Sequence, residues 1–304
     1  MRDRASGTLV EAARRSCEVT RHFYLLISRF TYMQYYANKY VRISDITAYL
    51  LCPRLVYFRR RRTSFAHSPE AVRAAIFKEI SRSLAGAMTA DDSEAELRSR
   101  IEIACDDAAT VYGLSVDDTA EEALSLTRDI LEGLKTESAR IGRDRLMTIL
   151  DPHDRPQTIY SDRLRISGNV DRVVLLDGAR CPVVISAFRP PENGIFAADR
   201  IRLAACAMLM EEKYDGTADH GVVEYVCGWR IRETEIRKSD RMAALSARNR
   251  IAQMGSSMPD ARRGRRCTAC QFLESCDVRP SFPASLFRPM LLNDTYRGRN
   301  ETNK

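Results

Sequence analysis

Apolar positions along the chain follow two regimes. Up to about residue 150 they recur every three to four residues, the period of helices with one buried face. SDITAYLLC predicts a helix from Ser44, with Ser44 as N-cap and Asp45 favourable to the macrodipole. Pro53 follows Cys52, and the apolar pattern resumes in RLVYF. Residues 68–88 predict a helix with Ser68 as cap, Pro69 at the first helical position and Glu70 after it. Residues 93–110 and 119–141 read as helices, the latter opened by a capping box of Thr119 and Glu122. Beyond that, Val, Ile and Leu dominate residues 158–188. Asp177-Gly178 is a turn signal between RVVLL and PVVISAF, which predict adjacent antiparallel strands. RPPENG is a loop, and residues 198–213 form a helix with Ile201, Leu203, Ala204, Ala207 and Met208 apolar. GVVEYVCG and RIRETEI predict a second hairpin, and Ser239 caps a last helix. Helices, hairpin, helix, hairpin, helix is the order of an α/β or α+β protein.

Composition narrows this little. A chain of 304 residues that is 44% hydrophobic suffices for one large domain or two small ones. No run of eighteen apolar residues exists, so no membrane span is expected. The N-terminus carries basic residues but neither a long apolar stretch nor a cleavage site, so the cytoplasm is the expected compartment. Residues 1–40 fit no core pattern; Met33 is an alternative start that would make residues 1–32 a mis-assigned extension. Residues 41–280 read as the functional domain: a helical part over 41–150, a β-containing core over 156–240, and a helix with a cysteine cluster over 239–280. Residues 281–304 are a tail.

Nine cysteines suit a reducing compartment, where most can serve as small apolar residues. Cys105, Cys206 and Cys227 lie in apolar periodic segments, while Cys17 and Cys181 carry no signal. Cys267, Cys270 and Cys276 form a C-x2-C-x5-C cluster. Three such thiolates need a fourth ligand to hold a tetrahedral metal or a cubane. If Cys52 supplies it, the site ties the first ordered segment to the last. Iron–sulfur and zinc both suit thiolates, and a lone fourth ligand is unlike the paired knuckles of zinc ribbons. With four histidines in the chain, a His-rich site is disfavoured; His67 and His153 read as loop residues.

Lysine and arginine exceed the acids by 48 to 41, and the excess is local. Arg59, Arg60, Arg61 and Arg62 form an unbroken run, and Arg262, Arg263, Arg265 and Arg266 flank the cysteine cluster. Such patches suit phosphate contacts, a solvated face, or balance for an anionic cluster. Tyr35, Tyr36, Tyr40, Tyr49 and Tyr57 lie near Cys52, either to stack on bases or to shield the cluster. Trp229, in CGWR, is a structural anchor or a base-stacking residue.

SDITAYLLCPRLVYF, GNVDRVVLLDG, PVVISAFRP, a following helix and the C-x2-C-x5-C cluster together resemble the CRISPR-associated RecB-like exonucleases of the PD-(D/E)xK superfamily. The resemblance spans about residues 41–280 and implies a restriction-endonuclease-like core. It also implies a helical N-terminal region and a C-terminal segment holding a [4Fe–4S] cluster on Cys52, Cys267, Cys270 and Cys276. It implies single-stranded DNA as substrate, CRISPR integration proteins as partners, and Mg²⁺ or Mn²⁺ at the cleavage site. There the metal would lower the pKa of the attacking water. Asp171 matches the first metal-binding acid. The acid-x-Lys of the next strand is replaced by Ser186-Ala187-Phe188, with Arg189 one position late. The expected histidine of the 69–84 helix is missing, and Lys78 and Glu79 occupy that neighbourhood. Arg202 and Cys206 stand where the next helix should carry Gln and Tyr.

Three functions remain open from the sequence. One is a catalytically impaired member that binds DNA without cutting it, in which Asp171 pairs with Arg172 or Arg189. Another is an active exonuclease with a rearranged site, in which Glu79 reaches the metal and Lys78 or Arg189 approaches the phosphate. The third is a structural or redox protein stabilised by zinc or by an iron–sulfur cluster.

Overall fold

In the computed structural model the described residues are 39–61, 69–151, 158–264, 267, 268 and 270–277. The chain divides into two units, Met1–Val41 and Arg42–Lys304, and the second carries the features below. Among the described residues, no helix is long and apolar enough to cross a membrane.

A two-residue strand β1 (Val41–Arg42) leads into helices α1 (Ile43–Leu51), α2 (Pro53–Arg61), α3 (Pro69–Thr89), α4 (Ser93–Tyr112), α5 (Asp117–Ser125), α6 (Thr127–Ile141) and α7 (Arg143–Leu150). The helix predicted over 119–141 is therefore two helices that meet at Leu126. Three of the predicted caps also fail. α1 starts after Arg42, α5 after Val116 and α9 (Lys238–Ala252) after Arg237, none with a side-chain cap. Ser44, Thr119 and Ser239 lie inside their helices, whose starts are fixed by packing. Asp92 is the cap that the sequence reading missed: its carboxylate accepts from the N–H groups of Glu94 and Ala95 at the start of α4. Ser68 lies outside the described residues.

The β-rich half holds two small sheets. One is organised on the antiparallel hairpin β2 (Thr158–Ser161) and β3 (Ile166–Asn169). The other runs in the order β4 (Arg172–Leu176), β5 (Ala179–Ser186), β6 (His220–Tyr225), β7 (Arg230–Glu235). Both predicted hairpins form. Asp177 and Gly178 adopt φ of 52° and 81°, the left-handed pair that a tight β4–β5 turn needs. β5 and β6 are parallel, joined through α8 (Ala197–Tyr214).

Alternation along the strands assigns the two faces. Val174 and Leu176 of β4, Val183 and Ile185 of β5, and Val222 of β6 join a core with Ile76, Phe77, Ile80 and Leu84 of α3. α8 packs on β5 and β6, with α1 and α9 against it. Two layers of helices thus enclose the sheet, and the mixed α/β expectation holds.

Polar groups are buried at the centre. Arg172 and Glu224, both fully buried, pair at 2.5 Å. Ser81 Oγ and Trp229 Nε1 donate to the Glu224 carboxylate at 2.6 and 3.0 Å, and Arg172 donates to the Ser81 carbonyl at 2.6 Å. This network joins α3, β4, β6 and the β6–β7 turn. It makes Trp229 an anchor, fully shielded from any base. The Trp229 carbonyl lies 2.4 Å from where a β-carbon at Gly133 would stand, so α6 needs glycine there.

Candidate functional site

Asp171 sits immediately before β4, where that strand, α3 and α8 converge. Its side chain is 3% exposed. One carboxylate oxygen accepts from Lys78 Nζ of α3 at 2.7 Å. The other accepts from Arg202 of α8 at 2.6 Å and from the Ile185 amide of β5 at 2.8 Å. Arg202 also donates to the Ile185 carbonyl at 3.0 Å. Lys78 is the more exposed of the two cations, at 28% against 16%.

Charge in this cluster is set by competition. Burial pushes the Asp171 pKa up, but Arg202, Lys78 and the Ile185 amide outweigh it and hold the carboxyl below its ordinary value. Burial and the neighbouring Arg202 charge lower Lys78 against the pull of Asp171. At Arg202, burial opposes the charge, yet the Asp171 carboxylate raises its pKa overall. Cys206, fully buried beside these cations, is pushed up to about 12 by burial and remains a thiol.

Asp199 lies one helical turn before Arg202 on α8. Burial raises its pKa against the opposing effects of Arg202, Tyr225 and Ser186. Ser186, which stands at the position expected to hold an acid, is 3% exposed and opposes the upward shift of Asp199. It lies beside Tyr225 across the parallel β5–β6 ladder.

The two candidates on α3, Lys78 and Glu79, separate. Lys78 meets Asp171. Glu79, the next residue, points away and pairs with Arg82 at the surface. The pairing of Asp171 with Arg172 or Arg189 does not occur, because Arg172 is held by Glu224, and Arg189 lies 4.0 Å from Asp129. The sequence did carry a signal for the true partner. Arg202 is the one charged side chain in the stretch 201–210, whose other residues are all buried, and such an arginine requires an acid.

The second region joins α2 to residues 251–276. Arg54 Nε donates to the Pro259 carbonyl at 2.8 Å, and its Nη1 to Cys276 Sγ at 3.5 Å. Arg60 donates to the Ile251 carbonyl at 3.1 Å, in the last turn of α9, and Arg61 to the Ser256 carbonyl at 2.5 Å. Tyr57 donates to the same Ser256 carbonyl, and Phe58 stacks on Phe272 with centroids 4.9 Å apart. The Gly264 amide donates to Cys267 Sγ. Cys52, Cys267, Cys270 and Cys276 are half-buried, whereas Cys105, Cys181, Cys206 and Cys227 are buried. The segments bearing the four expected thiolate ligands therefore meet. Among the described residues, however, no three His, Cys, Asp or Glu side chains gather closely enough to hold a metal ion.

The arginines divide in use. Arg60 and Arg61 hold backbone carbonyls of the C-terminal segment, and Arg61 also covers the Tyr57 ring at 3.8 Å. Arg59 and Arg263 are exposed. Arg62, Arg265, Arg266, Tyr35, Tyr36, His67 and His153 lie outside the described residues.

No protein-family model matches the chain. It is similar to an uncharacterized protein of Archaeoglobus fulgidus, 24% identical over 251 residues, which cover 81% of this chain and 99% of that protein.

Proposed function

We propose that this protein is a catalytically impaired relative of the RecB-like, CRISPR-associated exonucleases, one that binds single-stranded DNA without cutting it. The observation that carries the reading is the state of Asp171. The family resemblance makes it the metal-binding acid, yet both its oxygens are held by Lys78, Arg202 and the Ile185 amide. A hard divalent cation needs carboxylate oxygens free to face it, and more than one such ligand. Ser186 offers no second carboxylate, and Glu79 is turned away. With two cations around a single acid kept ionised, the cluster presents positive charge of the kind a phosphate meets.

The thiolate site belongs to the same proposal. Cys52, Cys267, Cys270 and Cys276 would hold a [4Fe–4S] cluster, with zinc as the alternative occupant. The contacts of Arg54, Tyr57, Phe58, Arg60 and Arg61 with residues 251–276 support it, since they bring the two ligand-bearing segments together. Donors aimed at Cys276 and Cys267 suit thiolates. Such a cluster would supply a covalent tie between these segments. Integration proteins of the CRISPR system are the partners that the resemblance implies.

Three measurements on one anaerobic preparation test this reading. Iron, sulfide and zinc analysis with the visible spectrum identifies the occupant; a colourless, metal-free protein overturns the cluster. Binding to single-stranded DNA is expected to weaken steeply with salt. Incubation with Mn²⁺ is expected to leave the DNA intact; digestion abolished by Asp171→Ala establishes an active exonuclease instead.

A further inference from the structure

Next to the Asp171 cluster, one loop is flanked by two exposed aromatic rings. β5 ends at Ser186, and the Ala187 carbonyl accepts from Arg73 at 2.8 Å, which pins the strand end. Phe188 follows, 67% exposed. The loop 189–195 contains Pro190 and Pro191 and delivers Phe196, 44% exposed, to the start of α8. The Phe196 amide donates to Tyr225 Oη at 3.2 Å, and its ring meets the Tyr225 ring edge-on at 5.9 Å. Tyr225 stands beside Ser186 in the ladder. Phe188 thus stands two residues past β5 and Phe196 immediately before α8, both near one end of the sheet.

The cations lie at the same end. Arg202 bonds the carbonyl of Ile185, and Phe188 is three residues further on, within about 10 Å of extended chain. Lys78, partly exposed, shares Asp171 with Arg202. Arg189 is 69% exposed beside Phe188; the nearby acids are Asp129, 4.0 Å from it, Glu122, whose carboxyl it helps to hold low, and Glu192 in the loop. Scattered exposed hydrophobics are ordinary on a protein surface. Here two exposed rings stand near paired cations, the combination that single strands use, with stacking for bases and positive charge for the backbone.

We propose that Phe188, Phe196 and Lys78 form a metal-independent seat for single-stranded DNA, with a base on the two rings and a phosphate on the Lys78 ammonium. This rests on the single-stranded DNA reading above and names the place where the strand sits. Lys78 has donor capacity beyond its bond to Asp171, because an ammonium carries three N–H groups. No divalent cation is needed, since Lys78 and Arg202 supply the positive charge.

The test is fluorescence anisotropy with a labelled oligothymidylate in EDTA, on the full chain, as a function of salt. Phe188→Ala with Phe196→Ala removes exposed rings and leaves the core intact; affinity is expected to fall about tenfold or more. Lys78→Met is expected to reduce the slope of log affinity against log salt by about 0.7, the loss of one phosphate contact, and Lys78→Arg to retain it. If wild type binds and the double phenylalanine variant binds equally well, the seat is wrong while the DNA reading stands. If EDTA abolishes wild-type binding, metal independence is wrong. If wild type binds no single strand at all, both fall together.

Discussion

The Asp171 carboxylate and the Arg202 guanidinium meet at 2.6 Å, both almost closed off from solvent. An isolated buried charge is costly, so each depends on the other, with Lys78 sharing the acid. The charge of this buried acid is thus met by side chains of its own chain.

Stability should therefore depend on Asp171. Asp171→Asn leaves Arg202, and the partly exposed Lys78 with it, without an anion and is expected to cost about 3 kcal/mol at pH 7, measured by urea unfolding. The folded-state pKa is held below its ordinary value, so the Asp171 contribution is complete above the unfolded pKa of about 4. It is lost as pH falls through the folded pKa. Asp199 has the opposite sign: its folded pKa is raised, so its contribution is complete below the unfolded value and lost as pH rises through the folded one. Asp199→Asn is accordingly expected to be neutral or stabilising at pH 7. Equal destabilisation by the two substitutions would contradict these assignments.

Supplying a second acid and a lysine beside Asp171 should not by itself create metal binding. In Ser186→Glu with Phe188→Lys, Arg202 and Lys78 still hold both oxygens of Asp171. Adding Arg202→Gln leaves one of them with the Ile185 amide and no cation, and removes one of the two charges repelling a metal ion. Mn²⁺ titration followed by electron paramagnetic resonance is expected to show a bound ion only in the triple variant. A bound ion at Asp171 in the wild type would show that the cations yield.

The Arg172–Glu224 pair, wholly buried, tests the sheet centre. Glu224→Gln leaves the arginine uncompensated and weakens the bonds from Ser81 and Trp229, with an expected loss of about 3–5 kcal/mol. Replacing both, as Arg172→Met with Glu224→Leu, removes both charges and is expected to cost less than the two single changes summed. Double-mutant unfolding curves give the coupling.

Much of this arrangement was legible in the chain. Period-2 runs and Asp177-Gly178 gave the hairpins, because tight turns have strict chemistry. The helices from Pro69 and Ser93 were legible from their apolar period. Helix starts were not: Ser44, Thr119 and Ser239 are good caps by type, but tertiary packing sets the boundaries a residue or two earlier. Asp171 stood out through the motif around it, while its partners did not. Lys78 and Arg202 come from helices 124 residues apart in sequence, and only the packing of α3 and α8 on the sheet brings them to one acid. The arginine run has a use that its charge alone did not disclose: Arg60 and Arg61 bond the backbone carbonyls of a distant segment.

That use of arginine gives the last prediction. Arg54, Arg60 and Arg61 bond the carbonyls of Pro259, Ile251 and Ser256, and Arg54 alone reaches a cysteine sulfur. Arg60 acts in the last turn of α9, where the helix dipole also favours a cation. Lysine in place of Arg54 cannot span Pro259 and Cys276 at once, because it lacks the planar fork. Arg54→Lys is therefore expected to speed amide hydrogen exchange across residues 255–276 by roughly tenfold, the effect of losing about 1.4 kcal/mol of local stability. The sheet, held by Arg172 and Glu224, should exchange as in the wild type. Unchanged exchange in the cysteine segment would mean that the stacked Phe58–Phe272 pair, rather than the arginines, holds the two segments together.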